Sequence, residues 1–95
     1  MRFEWDELKN RKNLRKHGIS FDLAVEAFSD RFCLTISDTE DAVEQRYWTI
    51  GRVETLTVVL VVHTTRDEDG EEIFRIISAR RATRKERRIY EEVDD

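Results

Sequence analysis

Proline is absent from this 95-residue chain, which also contains only three glycines and a single cysteine. The lack of proline and the scarcity of glycine favour regular helices and strands that are joined by short turns. Because Cys33 has no second cysteine to pair with, an intrachain disulfide is excluded. We expect Cys33 to pack as a small apolar residue, which is consistent with a reducing compartment. The longest apolar run, Val58 to Val62, is far too short to span a bilayer, and the amino terminus lacks the apolar stretch of a signal peptide. The sequence therefore predicts a cytoplasmic protein that does not engage a membrane.

The motifs of several common active sites are missing as well. The chain has no glycine-rich phosphate loop, and no Ser-His-Asp or Cys-His arrangement is indicated. The two histidines and Cys33 lack the spacing of zinc ligands, and the acidic stretch from Asp67 to Glu72 does not match a calcium-binding loop. We therefore predict no metal site and no cofactor.

Charged residues make up 40% of the chain and hydrophobic residues 39%, and the hydrophobic residues occur in blocks. Such blocks support one small core, and no shift in composition divides the chain, so we expect a single domain over residues 1–95. The formal net charge is −4, from 17 basic and 21 acidic residues. Binding of an anion would therefore depend on a local cluster of cations.

Two helices are predicted near the amino terminus. Asp6 is a suitable N-cap for a basic helix over residues 7–17, and Gly18 suits the left-handed position that ends it. Ser20 is a second N-cap, and apolar residues follow it at helical spacing as far as Phe28.

The rest of the sequence predicts a sheet and a last helix. Strands are expected over residues 32–37, 47–52, 55–63 and 73–79, with an acidic loop over 38–44 and a hairpin loop over 66–70. Alternation in the first strand predicts one buried face, whereas the unbroken apolar run predicts that the third strand is central. Gly51 is expected to mark a turn, and a capping box of Thr83 and Glu86 to begin the last helix. Two amino-terminal helices, about four antiparallel strands and a carboxy-terminal helix define an α+β domain.

Positive charge is concentrated in the last predicted strand and the last helix. The cations of this segment are Arg75, Arg80, Arg81, Arg84, Lys85, Arg87 and Arg88. Guanidinium groups bind phosphate oxygens in pairs and stay charged at any cellular pH, so the segment suits a polyanion such as RNA. A solvated helix face that maintains solubility is the alternative interpretation.

Four residues are candidates for the chemistry of RNA cleavage. Attack of the 2′-hydroxyl on the adjacent phosphate needs a proton acceptor, a proton donor and cations that stabilise the charged phosphorane. Arg66 and Arg80 are suited to the last role, and His63 and Tyr90 to proton transfer. Each of these two has a structural alternative: His63 as a core-edge histidine bonded to a backbone carbonyl, and Tyr90 as a core residue with its hydroxyl at the surface.

Hairpin pairing indicates how far apart the two arginines lie. Pairing across the predicted loop puts Arg66 near Ile73, and Arg80 near Val58 or Leu60. The two arginines therefore need not touch, but they can flank an extended phosphate backbone. The sequence alone does not decide whether they share a face of the sheet.

The two tryptophans, Trp5 and Trp48, also have two interpretations. Each can pack in the core or can provide a platform on which a base stacks. Packing is the expectation from the sequence.

Several segments of the chain resemble the BrnT family. They are Phe3 to Glu7, Lys9, Asn13, Lys16 to Phe21, Ile50–Gly51, Val61 to Arg66, Arg75 to Arg80, Glu86–Arg87 and Tyr90–Glu91. The resemblance extends over residues 2–93, and its motifs are specific in combination.

The resemblance implies a type II toxin with a RelE-like fold that cleaves RNA and blocks translation. By position, it implies that Arg66 and Arg80 are the leading active-site residues, followed by His63, Arg46 and Tyr90. The candidates for RNA binding are Lys9, Arg46, Arg81 and Arg84.

A partner is implied by the resemblance and not by the residues themselves. The expected partner is an antitoxin of the BrnA type, which binds operator DNA through a ribbon-helix-helix domain, so the toxin would reach DNA only through it. Two alternatives use the same fold: a toxin that binds a protein target such as gyrase without cleaving RNA, and an inactive toxin kept as a co-repressor.

Overall fold

The computed structural model describes residues 1–38, 45–54 and 56–93. In chain order its elements are β1 (Arg2–Glu4), α1 (Glu7–His17), α2 (Phe21–Ala24), a 3-10 helix (Val25–Ser29), β2 (Leu34–Asp38), β3 (Arg46–Val53), β4 (Thr57–Glu68), β5 (Glu71–Arg81) and α3 (Arg84–Val93). The predicted α+β class is confirmed. The predicted acidic loop lies almost entirely outside the described residues.

The strands form one sheet in the order β1-β5-β4-β3-β2. The four later strands pair with one another in antiparallel fashion, as predicted, and the apolar strand β4 is central. The expectation of about four antiparallel strands omits β1, which pairs in parallel with β5 from Arg2 to Glu4. A parallel neighbour needs a long crossover, and three residues carry too little periodicity to reveal one.

Two predicted turns are placed differently in the structure. The hairpin loop expected over 66–70 is only a tight turn at Asp69 and Gly70, whose φ angles of 53° and 82° match a two-residue hairpin turn. Gly51 is not a turn but lies inside β3. A Cβ atom at Gly51 would lie 2.5 Å from the carbonyl oxygen of Ala27, so glycine lets the 3-10 helix approach the sheet.

Helix α1 is attached to the sheet through Asn13. Its predicted caps are confirmed, with Asp6 accepting backbone hydrogen bonds and Gly18 in the left-handed conformation. The Asn13 amide is buried and bonds both the backbone N–H of Ala79, at 3.1 Å, and its carbonyl oxygen, at 2.7 Å. Asn13 thus occupies the edge of β5 beyond the end of β1. Among the described residues, no helix is both long enough and apolar enough to cross a membrane.

The two faces of the sheet are covered unequally. Helices α1 and α2 and the 3-10 helix cover one face, over a core that includes Phe21, Val59 and Val61. On the other face Tyr90 of α3 packs with Ile50, Val58 and Leu60. That cluster lies at one end of the sheet, and no described helix covers the rest of this face.

The uncovered remainder is called the open face below. Strand register assigns to this side Arg2, Glu4, Ile36, Asp38, Arg46, Trp48, Val62, Thr64, Arg66, Ile73, Arg75, Ser78 and Arg80. Of these, Ile73 is buried, next to Arg66. The strand β2 borders this face, and its Ile36 is 39% exposed. The prediction that the first strand buries one face is therefore wrong, because β2 lies at the edge of the sheet and no described helix covers its Ile36.

Candidate functional site

A β-bulge at Ile77 brings two arginines of β5, Arg75 and Arg80, onto one face. Val62 pairs with Ser78 and His63 pairs with Ile76, so Ile77 is an extra residue between them. In a regular strand, Arg75 and Arg80 would point to opposite faces, since they are five positions apart. The extra residue reverses this relation and puts both arginines on the open face.

Arg66 joins them from β4, on the same face. It pairs with Ile73, and Arg80 pairs with Leu60, so both predicted pairings are confirmed. Leu60 and Arg66 are six positions apart on one strand, which corresponds to about 20 Å between Arg66 and Arg80 along the sheet. The structure therefore places the two leading candidates on one face without bringing them into contact.

Glu4 holds two of these arginines. Its carboxylate accepts hydrogen bonds from both terminal nitrogens of Arg66, at 2.9 and 3.0 Å, and from Arg75 at 3.0 Å. Glu68 accepts a further bond from Arg66 at 3.3 Å. The hydrogen bonds from Arg66 and then Arg75 lower the pKa of Glu4 to about 2. The network orients the guanidinium groups and also neutralises part of their charge.

Arg80 makes a similar pair with Glu86. Its two terminal nitrogens donate to the two carboxylate oxygens at 2.7 and 2.9 Å. Glu86 also accepts from the backbone N–H of Thr83, whose hydroxyl accepts from the N–H of Glu86, so the predicted capping box is confirmed. The Arg80 hydrogen bond lowers the pKa of Glu86 to about 2. One carboxylate thus fixes both the start of α3 and the direction of Arg80.

His63 lies on the opposite, helix-covered side of β4. It is 1% exposed, and its ring contacts Phe28, Phe74 and Tyr47 at centroid distances of 5.0, 5.4 and 5.8 Å. Nε2 is 2.8 Å from the hydroxyl of Thr49. Burial lowers the pKa of His63, so the neutral imidazole is favoured. In this structure His63 does not reach the open face, and its predicted catalytic role is still a prediction.

Tyr90 is also interior, on the α3 side. It is 2% exposed, and its hydroxyl donates to Oδ2 of Asp30 at 2.5 Å. Asp30 also accepts the backbone N–H groups of Arg52, at 2.8 Å, and Phe32, at 3.0 Å. Burial would raise the pKa of Asp30, but these hydrogen bonds outweigh it and lower the pKa. Tyr90 therefore fastens α3 to the segment before β2, and its catalytic role is likewise still a prediction.

The candidates for RNA binding are dispersed. Arg46 is exposed at the start of β3 and shares the open face, whereas Arg81 pairs with Val59 and points to the other face. Arg84 is exposed at the first turn of α3. Lys9 borders a cavity of about 320 Å³ between α1 and β5. Of this set, only Arg46 lies beside Arg66 and Arg80 on the open face.

The sequence placed Arg75 only among the cations of the last strand and helix, and it favoured packing over base stacking for Trp48. Arg75 shares Glu4 with Arg66, a relation that depends on the parallel strand β1. Trp48 is 36% exposed and pairs with Ile36 on one side and Val62 on the other. Trp48 faces solvent because α3 covers its neighbour Ile50 but does not extend over Trp48.

No metal centre is evident in residues 1–38, 45–54 and 56–93, where no three His, Cys, Asp or Glu side chains are grouped to hold an ion. The site residues found there are arginines and carboxylates in hydrogen-bonded pairs. What this arrangement offers chemically is binding and charge stabilisation of an anion.

Comparison with known proteins gives the class to which such a domain belongs. The fold is similar to a crystal structure of the Brucella abortus ribonuclease toxin BrnT, with a TM-score of 0.62 and 29% sequence identity over 88% of this chain and 99% of that one. A search of curated proteins found no match. The family described as the ribonuclease toxin BrnT of type II toxin-antitoxin systems matches residues 5–86. The chain belongs to the BrnT family.

Proposed function

We propose that this protein is an endoribonuclease toxin that cleaves RNA on the open face without a metal ion, and thereby blocks translation in the cytoplasm. The observation that carries the proposal is the convergence of Arg66, Arg75 and Arg80 on one face that no described helix covers. Membership of a ribonuclease toxin family supports RNA as the polyanion.

The arginines would act on the phosphate backbone. Because Arg66 and Arg80 are about 20 Å apart along the sheet, each would contact a different phosphate of one strand. The guanidinium group nearest the scissile phosphate would stabilise the negative charge of the phosphorane when the 2′-hydroxyl attacks. The bond between phosphorus and the 5′-oxygen would break as the 2′-oxygen bonds to phosphorus, and solvent water would take the proton of the 2′-hydroxyl and supply one to the 5′-oxygen. The products would be a 5′-hydroxyl end and a 2′,3′-cyclic phosphate end.

The carboxylates that hold the arginines need not prevent this binding. The Arg66–Glu4 pair is partly exposed and screened by solvent, so a phosphate can compete with Glu4 for Arg66. The side chain of Glu86 is only 15% exposed, so a phosphate at Arg80 has to compete with a more firmly held carboxylate. Arg66 and Arg75 have solvent-exposed side chains, and Arg80 is exposed to 36%. We propose that the pairs hold the guanidinium groups in place before RNA arrives.

His63 and Tyr90 are proposed to position the site rather than to touch RNA. His63 would hold β3 and β4 together beneath the open face, through Thr49. Tyr90 would hold α3, and with it Glu86, in the place where Glu86 orients Arg80. A direct role in proton transfer would instead predict that His63→Gln and Tyr90→Phe lose turnover while their stability is unchanged.

An antitoxin partner follows from membership of a type II toxin-antitoxin family. We propose that it is of the BrnA type, with a ribbon-helix-helix domain, and that this protein meets operator DNA only through it. Expression of the toxin alone should then inhibit growth, and expression with the neighbouring antitoxin gene should restore it. Recovery of only free toxin when both genes are expressed would contradict this part of the proposal.

The decisive experiment is cleavage of RNA by purified protein in the presence of a chelator. The wild type should leave cyclic phosphate or 3′-phosphate ends. Arg80→Ala should reduce the rate by about 100-fold or more, the loss typical of a removed charge-stabilising donor. Its neighbour Arg81 is the matched comparison: Arg81→Ala should have a smaller effect, because Arg81 is on the other face.

Folding must be measured on the same samples. Arg80→Ala should change the free energy of unfolding by only about 1 kcal/mol, since its pair with Glu86 is partly exposed. A wild-type protein that does not cleave RNA would favour the protein-binding toxin or the co-repressor. Cleavage that is lost with chelator and restored by magnesium would refute metal independence.

A further inference from the structure

We propose that Trp48 is a stacking platform for an RNA base and so helps to determine where the strand lies on the open face. This inference rests on the proposed function, because it assumes that RNA binds there. It identifies a contact to a base, whereas the arginines contact only phosphates.

The exposure of Trp48 distinguishes it from the other aromatic residues. All nine aromatic residues lie within the part of the chain that the structure describes, and Trp48 alone among them is exposed. The ring of Trp5, by contrast, meets Phe21 at 6.1 Å, and its Nε1 donates to Glu7. A tryptophan that is 36% exposed on a sheet face presents apolar surface that folding has not removed from water.

Trp48 lies at a distance from Arg80 that one nucleotide of a bound RNA strand can span. Trp48 lies in the cross-strand row of Val62 and Ser78, and Arg80 lies in the neighbouring row. Two strand spacings and two residues along the strand put their α-carbons about 12 Å apart. Both side chains are long, so a phosphate at Arg80 would leave the attached base within reach of the indole ring.

The charges around Trp48 favour nucleic acid over a protein as the occupant. Arg46 precedes Trp48 by two positions on the same face, where Asp38 is its cross-strand partner, and Arg80 lies in the next row on the other side, so a cation lies on each side of the ring. An aromatic ring between cations is the arrangement that single-stranded nucleic acid uses, with bases on the ring and phosphates on the cations. The hydroxyl groups of Thr64 and Ser78, on the same face, would offer hydrogen bonds to the bound RNA.

A fluorescence titration tests the proposal directly. The RNA carries 2′-O-methyl groups, so it binds but lacks the hydroxyl that attacks phosphate. In a Trp5→Phe protein, Trp48 is the only indole, and its emission should be quenched as RNA binds. In a Trp48→Phe protein, Trp5 is the only indole, and its emission should not change.

Affinity is measured separately, from the anisotropy of labelled RNA. Trp48→Ala should weaken binding by about tenfold, the effect of losing one stacked base, while Trp48→Phe should retain most of the affinity. Ile36→Ala is the matched control, because Ile36 is in the same row and exposed but has no aromatic ring. Binding of inorganic polyphosphate, which has no bases, should be equal for Trp48→Ala and wild type.

The outcomes separate this inference from the proposed function. If RNA binds to the wild type with the same affinity as to Trp48→Ala, and Trp48 emission is constant, the platform is refuted and the cleavage proposal stands. If Trp48→Ala instead weakens only the complex with the antitoxin, the surface around Trp48 docks a protein and the inference is wrong. If the wild type binds no RNA at all, both proposals fail.

Discussion

Replacing His63 with glutamine distinguishes a positioning histidine from a catalytic one. Glutamine has a similar reach and retains hydrogen-bonding capacity, but it cannot take up a proton near neutral pH. In the structure the imidazole lies in the interior, between Phe28, Phe74 and Tyr47. We therefore expect His63→Gln to lower stability while the turnover of each folded molecule persists.

The size of the effect follows from the contacts that are lost. The hydrogen bond with Thr49 contributes about 1 kcal/mol, although glutamine can remake part of it. Three ring contacts, partly replaced by the glutamine side chain, bring the expected loss of unfolding free energy to about 2–3 kcal/mol. For a domain of this size such a loss lowers the melting temperature by roughly 10–20 °C.

The pH dependence of stability gives a second signature. Burial holds the pKa of His63 below its ordinary value of 6.5, so the unfolded chain takes up a proton at a higher pH than the folded one. Stability should therefore fall as the pH decreases below 6.5, by at most about 1.4 kcal/mol per pH unit, until His63 protonates in the folded state. His63→Gln should remove this component.

The assay combines thermal melting with single-turnover cleavage, corrected for the folded fraction. The matched control is His17→Gln, at the other histidine, which ends α1. This control should leave the cleavage rate unchanged and affect melting less than His63→Gln does. A His63→Gln protein with a normal melting temperature and a rate at least about 100-fold lower would refute the reasoning and make His63 a general acid or base.

Two further predictions concern the attachment of α3. Tyr90→Phe should lower the unfolding free energy in urea by about 1.5–3 kcal/mol, because it removes a hydrogen bond to the ionised Asp30; an unchanged midpoint with lost cleavage would instead support a direct chemical role. Glu86, whose pKa is lowered from 4.5 to about 2, contributes stability at pH values above 4.5 that is lost as the pH falls through its folded pKa. Unfolding of Glu86→Gln should therefore depend less on pH between 4.5 and 2, and an unaltered pH profile would count against the ion pair with Arg80.

Sequence reasoning succeeded where structure is determined by neighbouring residues. The caps at Asp6 and Gly18 depend on side-chain chemistry within one helical turn. The central position of β4 follows from a run of apolar residues without alternation, because both faces are covered there. Hairpin register followed from the turn for Arg66, which pairs with Ile73 as expected. Arg80 pairs with Leu60, one of the two partners expected for it, although the bulge at Ile77 contributes to that register.

Sequence reasoning failed where one distant contact or one extra residue decides the outcome. The bulge at Ile77 changes the face of every residue beyond it, and no turn or glycine marks its position. The role of Asn13 could not be read from α1, since its partner Ala79 is 66 positions away. A buried amide therefore helps to hold helix α1 to the sheet, a contact that the helix sequence by itself does not indicate.

The faces of the sheet illustrate the same limit at the candidate site. Trp48 and Ile50 alternate with polar residues on β3 and both belong to the side of the sheet that faces α3. Ile50 is buried beneath α3, while Trp48, one row away, is exposed. Alternation identifies a face of the sheet, but the length and direction of a covering helix decide which residues on that face are buried.

The net charge of −4 also has a consequence for how RNA would be held. A negatively charged chain does not attract a polyanion at long range, so affinity has to come from contacts on the open face itself. There, Glu4 and Glu86 neutralise part of the charge of Arg66, Arg75 and Arg80. Charge alone is therefore a weak source of binding, and a stacked base at Trp48 would supply affinity that does not depend on salt. On this reasoning RNA binding should decrease less steeply with salt than for a basic ribonuclease, and Trp48→Ala should weaken it by a similar factor at low and high salt.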